Sequence, residues 1–69
     1  MKISARNILK GTIVKVTKGN TTAHVLIDIG SGVIVTASIT NESVDSLKLT
    51  VGMPAYAVIK SSEVMVGVD

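Results

Sequence analysis

Thr22-Ala23-His24-Val25-Leu26-Ile27-Asp28-Ile29 runs into Gly30-Ser31-Gly32 and then Val33-Ile34-Val35-Thr36-Ala37-Ser38-Ile39. Ala23, Val25, Ile27 and Ile29 fall on one side of the first run, with Thr22, His24, Leu26 and Asp28 on the other, the period of a half-buried strand. Val33, Val35, Ala37 and Ile39 repeat that alternation after the glycines, which offer positive φ freely. The two runs read as a β-hairpin.

Upstream, Ile8 to Thr17 is rich in β-branched residues and is interrupted by Gly11, which in a long strand marks a bulge or a close backbone approach. Lys18-Gly19-Asn20 turns this strand into the hairpin. Downstream the period changes at Thr40-Asn41-Glu42-Ser43-Val44-Asp45-Ser46-Leu47. There Val44 and Leu47 are spaced as on one helix face, and short polar residues crowd the start, so a short helix is expected to begin near Thr40 or Asn41. Gly52 and Pro54 break the chain, Ala55 to Ile59 reads as a fourth strand, and Val64, Val66 and Val68 mark a fifth. Five short strands with one helix between the third and fourth is the element order of an OB-like barrel, all-β apart from the helix. An open sheet would give the same pattern.

A chain of 69 residues is expected to be a single domain, residues 1–69, and such a domain buries only roughly 60% of the surface its unfolded form exposes. With no Cys and one His, neither disulfides nor a structural metal is at hand to reinforce it. Hydrophobic residues make up 46% of the chain and charged residues 17%, so part of the apolar surface is expected to face another copy. There is no uncharged apolar run long enough to cross a bilayer and no signal-peptide pattern, which points to a cytoplasmic protein without membrane association. The net charge of +2 permits anionic partners without demanding a polyanion.

Catalysis finds little support. His24 has no evident partner, the carboxylates Asp28, Glu42, Asp45, Glu63 and Asp69 are scattered, and no spacing suggests a triad or a metal cluster. Two polar runs at opposite ends, Ser4-Ala5-Arg6-Asn7 and Lys60-Ser61-Ser62-Glu63, each set a cation beside a hydroxyl. Arg and Lys offer charge-assisted donors and Ser a short neutral one, a set suited to an anion that accepts hydrogen bonds and gives none. Thr40 to Ser43 adds unpaired backbone N–H groups at the expected helix start. The plainer readings are a helix cap at Thr40 and Ser43, a solvated Arg6, and a polar turn at Lys60. Glu42 and Glu63 lie beside these donors and would have to point away. His24, on the polar face of its strand, is most simply a surface or interface histidine, with Asn20-Thr21-Thr22 as a weaker polar pocket before it. OB barrels that bind single-stranded nucleic acid stack bases on aromatic side chains. With Tyr56 as the one aromatic residue, no nucleic-acid partner is expected.

Ser4-Ala5-Arg6-Asn7 with Leu9-Lys10-Gly11, the Ile39-Thr40 entry into the helix, and Val58-Ile59-Lys60-Ser61-Ser62-Glu63-Val64-Met65-Val66-Gly67 together resemble the molbindins. These are free-standing forms of the Mop (TOBE-type) domain that binds molybdate and tungstate. The resemblance spans essentially the whole chain. It implies a five-stranded OB-like barrel, assembly as a homohexamer built as a trimer of dimers, and oxyanions held between subunits. By the resemblance, the principal site falls at Ser4, Ala5, Arg6, Thr40, Ser43, Lys60 and Ser61, with Arg6 and Lys60 balancing the dianion's charge. A second site would fall around Gly19, Asn20 and His24.

The expected function is therefore non-enzymatic binding of molybdate, and of tungstate, for intracellular molybdenum storage, with no metal bound except as its oxyanion. Molybdate is fully deprotonated at neutral pH and wants donors only, whereas protonated phosphate also wants an acceptor. The alternative is a small OB-like interaction module that binds protein or nucleic acid without oxyanion specificity.

Overall fold

A computed structural model describes residues 1–69. The chain is mostly β with one short helix: β1 (Asn7–Lys18), β2 (Thr22–Asp28), β3 (Ile34–Thr40), α1 (Asn41–Ser46) and β4 (Pro54–Ile59). The strands form one antiparallel sheet in the order β3-β2-β1-β4. β1 serves two ladders in turn. Its first half, Asn7 to Thr12, pairs with β4, and its second half, from Thr12 to Lys18, pairs with β2. The register shifts between Ile13 and Lys15, and a bulge there strengthens the twist of the long strand and bends it. The sheet curls into an open half-barrel as a result.

Gly11 is required by packing. A Cβ at this position would lie 2.4 Å from the Asp28 carbonyl oxygen and 2.8 Å from Ile27 Cγ2. This is the close approach expected from the sequence, and the bulge sits a little further along the strand. At the tip of the β2–β3 hairpin, Gly30, Ser31 and Gly32 all have positive φ. Asp28 Oδ1 braces that turn by accepting from the Gly30 N–H at 2.8 Å.

The concave side holds a small core. Ala23, Val25 and Ile27 of β2, the residues the alternation placed on one face, are buried with Ile13, Ala57 and Val44 of α1. Val35, Ala37 and Ile39 of β3 pack against them. Leu47 departs from the expectation: it is 63% exposed, because the helix ends at this residue and Lys48 reverses the chain at φ 53°.

The fifth strand is not formed within the chain. After Ile59 a 3-10 turn over Ser61–Glu63 redirects the backbone, and residues 64–69 run on without a ladder partner. Met65, Val66 and Val68 are each 92% exposed. Their alternating pattern shows how they would fit a sheet, but a strand also needs a neighbour to pair with. The half-barrel accordingly stays open between its two edge strands. A slot of about 560 Å³ lies there, lined by Val35–Ile39 of β3, Ala57–Ile59 of β4, Lys60 and Glu63.

Candidate functional site

The two terminal polar runs, more than fifty positions apart in sequence, meet in the fold. Asn7 is the partner of Ile59 in the last pair of the β1–β4 ladder, and Asn7 Nδ2 donates to the Ile59 carbonyl at 3.2 Å. Arg6 enters that pair and Lys60 leaves it, so both cations are delivered to one end of the ladder. Ser4, Arg6, Lys60 and Ser61 are exposed and Ala5 is half-buried. Neither cation is committed elsewhere, since the chain's one ion pair joins Lys18 to Asp45. Glu63 makes no ion pair with Lys60. Its backbone N–H closes the 3-10 turn on the Lys60 carbonyl at 2.9 Å.

Thr40 and Ser43 come together at the start of α1. Thr40 is extended and caps the helix: its Oγ1 accepts from the Ser43 N–H at 3.0 Å and donates to Ser43 Oγ at 2.8 Å. The capping reading therefore holds for Thr40 in the free chain, whose hydroxyl proton is already engaged. Ser43 keeps its own hydroxyl proton available for an incoming acceptor. Within the chain no hydrogen bond links this pair to Ser4, Arg6, Lys60 or Ser61. Glu42, beside the pair, is exposed and makes no ion pair.

Gly19 and Asn20 form the β1–β2 turn, closed by the Gly19 N–H to the Thr22 carbonyl at 2.7 Å. His24 stands two residues into β2, exposed, in register with Thr17 on one side and Ser38 on the other. It lies on the polar face, as its place in the alternation required.

Three residues that sequence reasoning passed over organise this end of the molecule. Asn41 donates its backbone N–H to the Thr21 carbonyl at 2.9 Å and its side-chain Nδ2 to the Gly19 carbonyl at 2.9 Å. Lys18 at the end of β1 reaches Asp45 of α1. Only the short polar run at the helix start could have signalled Asn41, and it gives no hint that the partner is a turn twenty residues upstream. No group of three or more His, Cys, Asp or Glu is placed to hold a metal ion.

The chain matches known proteins along nearly its whole length. The TOBE domain pattern matches residues 3–66. The chain belongs to the TOBE domain family. It is 49% identical over 69 residues, all of both chains, to the probable molybdenum-pterin-binding protein of Haemophilus influenzae. Its backbone superposes on MopII from Clostridium pasteurianum with a TM-score of 0.91 at 42% identity, covering 97% of this chain and 100% of that one. It also superposes on the cytoplasmic molybdate-binding protein ModG, with molybdate bound, at a TM-score of 0.94 and 40% identity. There it covers 100% of this chain and 49% of ModG. The family resemblance read from the terminal motifs is thereby confirmed. The Haemophilus influenzae relative is named for binding a molybdenum-pterin and ModG for binding molybdate.

Proposed function

We propose that this TOBE domain chain binds molybdate, and tungstate with it, at sites shared between copies of itself, and that it serves intracellular molybdenum storage. The observation that carries the reading is the pairing of Asn7 with Ile59, which delivers the flanking Arg6 and Lys60 to one end of the β1–β4 ladder. Ser4 and Ser61 are assigned to the anion with them. Both cations lack a carboxylate partner. A fully deprotonated tetrahedral dianion would find charge-assisted and hydroxyl donors there. The reading requires the Glu63 carboxylate, which lines the slot beside Lys60, to face away from it.

Thr40 and Ser43, unlinked to that end within one chain, are assigned to the same anion from a neighbouring copy. Several features support shared sites. The chain buries only six of its residues, its apolar segment from Val64 to Val68 is exposed, and the slot between β3 and β4 is lined in part by Lys60. The assembly proposed is the homohexamer, a trimer of dimers, in the cytoplasm. Gly19, Asn20 and His24 form the proposed second site.

Some relatives' names join molybdenum to a pterin, and the side chains here favour the bare oxyanion. A pterin ring calls for a stacking surface. The one aromatic residue, Tyr56, sits opposite Lys10, three ladder pairs from Asn7 and Ile59.

Parallel titration calorimetry with molybdate, tungstate, sulfate and phosphate, with the mass in solution measured on the same sample, tests the reading. Tight molybdate binding by a hexamer, with weak sulfate and phosphate, is the expected result. No molybdate binding by an intact oligomer would return the interaction module to first place, and steep salt-dependent oligonucleotide binding would identify its partner.

A further inference from the structure

The end of β1, the β1–β2 turn and α1 are built as one hydrogen-bonded unit. Thr22 and Thr40 are partners in the β2–β3 ladder, so the turn that precedes β2 and the helix that follows β3 leave the sheet side by side. Three ties cross between them. The Asn41 N–H reaches the Thr21 carbonyl, Asn41 Nδ2 reaches the Gly19 carbonyl, and Lys18 reaches Asp45.

Of the three, the Nδ2 contact is the specific one. A backbone N–H is supplied by any residue except proline, and the Lys18–Asp45 pair is largely exposed, with side-chain exposures of 46% and 66%. Asn41 Oδ1, by contrast, is enclosed and has no hydrogen-bond partner. Buried acceptors are rarely left unpaired. The amide is held in this orientation at that expense, and what the orientation secures is the bond from Nδ2 to Gly19.

We infer that Asn41 is a positioning residue which couples the Thr40–Ser43 hydroxyl pair to the Gly19–Thr22 turn, so that an oxyanion engaging the pair also stiffens the turn. The inference rests on the proposed oxyanion reading of Thr40 and Ser43. An anion accepting from Ser43 fixes the Thr40 to Ser43 hydroxyl relay, and hydrogen bonds in series strengthen one another. Asn41, next in sequence to Thr40, then carries that order to the Gly19 carbonyl. By reciprocity, a ligand or a neighbouring copy that orders Gly19 to Thr22 raises affinity at Thr40 and Ser43.

Amide hydrogen exchange with molybdate as the probe tests this, read residue by residue with and without saturating ligand. The Gly19 amide is the reporter, because it closes the turn on Thr22. In the unaltered chain, saturation slows Gly19 exchange about fivefold or more, the lower range of measured site-to-site coupling. Arg6→Ala, which weakens the anion at Thr40 and Ser43 without touching the turn, abolishes that slowing. Slowing that persists in Arg6→Ala comes from anion bound directly at Gly19, Asn20 and His24 and overturns the inference. Asn41→Leu has a similar shape and removes the Nδ2 donor and the orphaned acceptor together. In that variant, and in Asn41→Ala, saturating molybdate still protects the Ser43 amide but leaves Gly19 as fast as in the free protein.

A merely structural role would weaken both variants yet leave Gly19 protection intact at saturation, which overturns the inference. So does an unaltered chain that binds molybdate with no change at Gly19, whether or not the variants fold. An unaltered chain that binds no molybdate by titration overturns the oxyanion reading itself, and the coupling with it.

Discussion

Arg6 is free of any carboxylate and sits beside the Asn7–Ile59 pair, so its removal tests charge at the site without breaking an ion pair inside the chain. Arg6→Ala is expected to weaken molybdate binding by roughly 2–5 kcal/mol, the scale of losing one partner of a desolvated charge-assisted contact. The mass of the assembly should not change. Unchanged affinity by calorimetry would remove Arg6 from the site. Gly11 presents the opposite case, a residue fixed by space rather than by ligand. A Cβ 2.4 Å from the Asp28 carbonyl oxygen must push β1 and β2 apart where the two ladders join. Gly11→Ala should therefore destabilise the fold by about 1–3 kcal/mol, as overpacking does. A urea midpoint equal to that of the unaltered chain would contradict the close approach.

At the scale of the element, α1 has only six residues, too few to be stable by propensity alone. It is held by buried Val44, by the Thr40 cap, and by the ties to the β1–β2 turn. Cap and ligand roles can be separated by two substitutions. Thr40→Ala removes the acceptor of the Ser43 N–H and should lower stability by about 1 kcal/mol. Ser43→Ala keeps that backbone bond and removes only a hydroxyl, so it should leave the urea midpoint nearly unchanged while weakening molybdate binding. Equal molybdate affinity in Ser43→Ala and the unaltered chain would confine the pair to capping. The Lys18–Asp45 pair is exposed, and Asp45→Asn should change stability by no more than about 0.2–1 kcal/mol. A larger fall in the urea midpoint would show that the pair holds α1 in place.

For the whole molecule, the decisive fact is how little of the chain is covered by itself. Six residues are buried, the half-barrel is open between β3 and β4, and Met65, Val66 and Val68 are almost fully exposed. An apolar groove of about 480 Å³, lined by Ile13, Val25, Ile39, Leu49 and Met53 among others, adds to this uncovered surface. If copies of the chain cover these surfaces, charges placed on the extended segment should prevent assembly. Val66→Asp combined with Val68→Asp is expected to reduce the mass measured by light scattering. The unaltered chain's molybdate affinity should fall on dilution, because a shared site is lost when the assembly dissociates. A concentration-independent affinity in a monomer would place the whole site within one chain.

The alternation from Thr22 to Ile39, the positive-φ glycines and the change of period at Thr40 determined the hairpin, the polar outer face with His24, and the helix start, because each depends on neighbours in sequence. Gly11 announced a tight spot without naming its partner. The terminal motifs were legible as a family signature, and their residue types suit an anion that accepts hydrogen bonds and gives none, on which the proposed function rests. Tertiary structure decided the rest. Pairing along β1 brings Arg6 and Lys60 to one end, and the β2–β3 register lays α1 against the β1–β2 turn, where Asn41 finds Gly19. It also leaves Val64 to Val68 without a partner, although their spacing is that of a strand. The physical reason is common to all three: a hydrogen-bond partner distant in sequence is chosen by register and chain direction, which local periodicity does not encode.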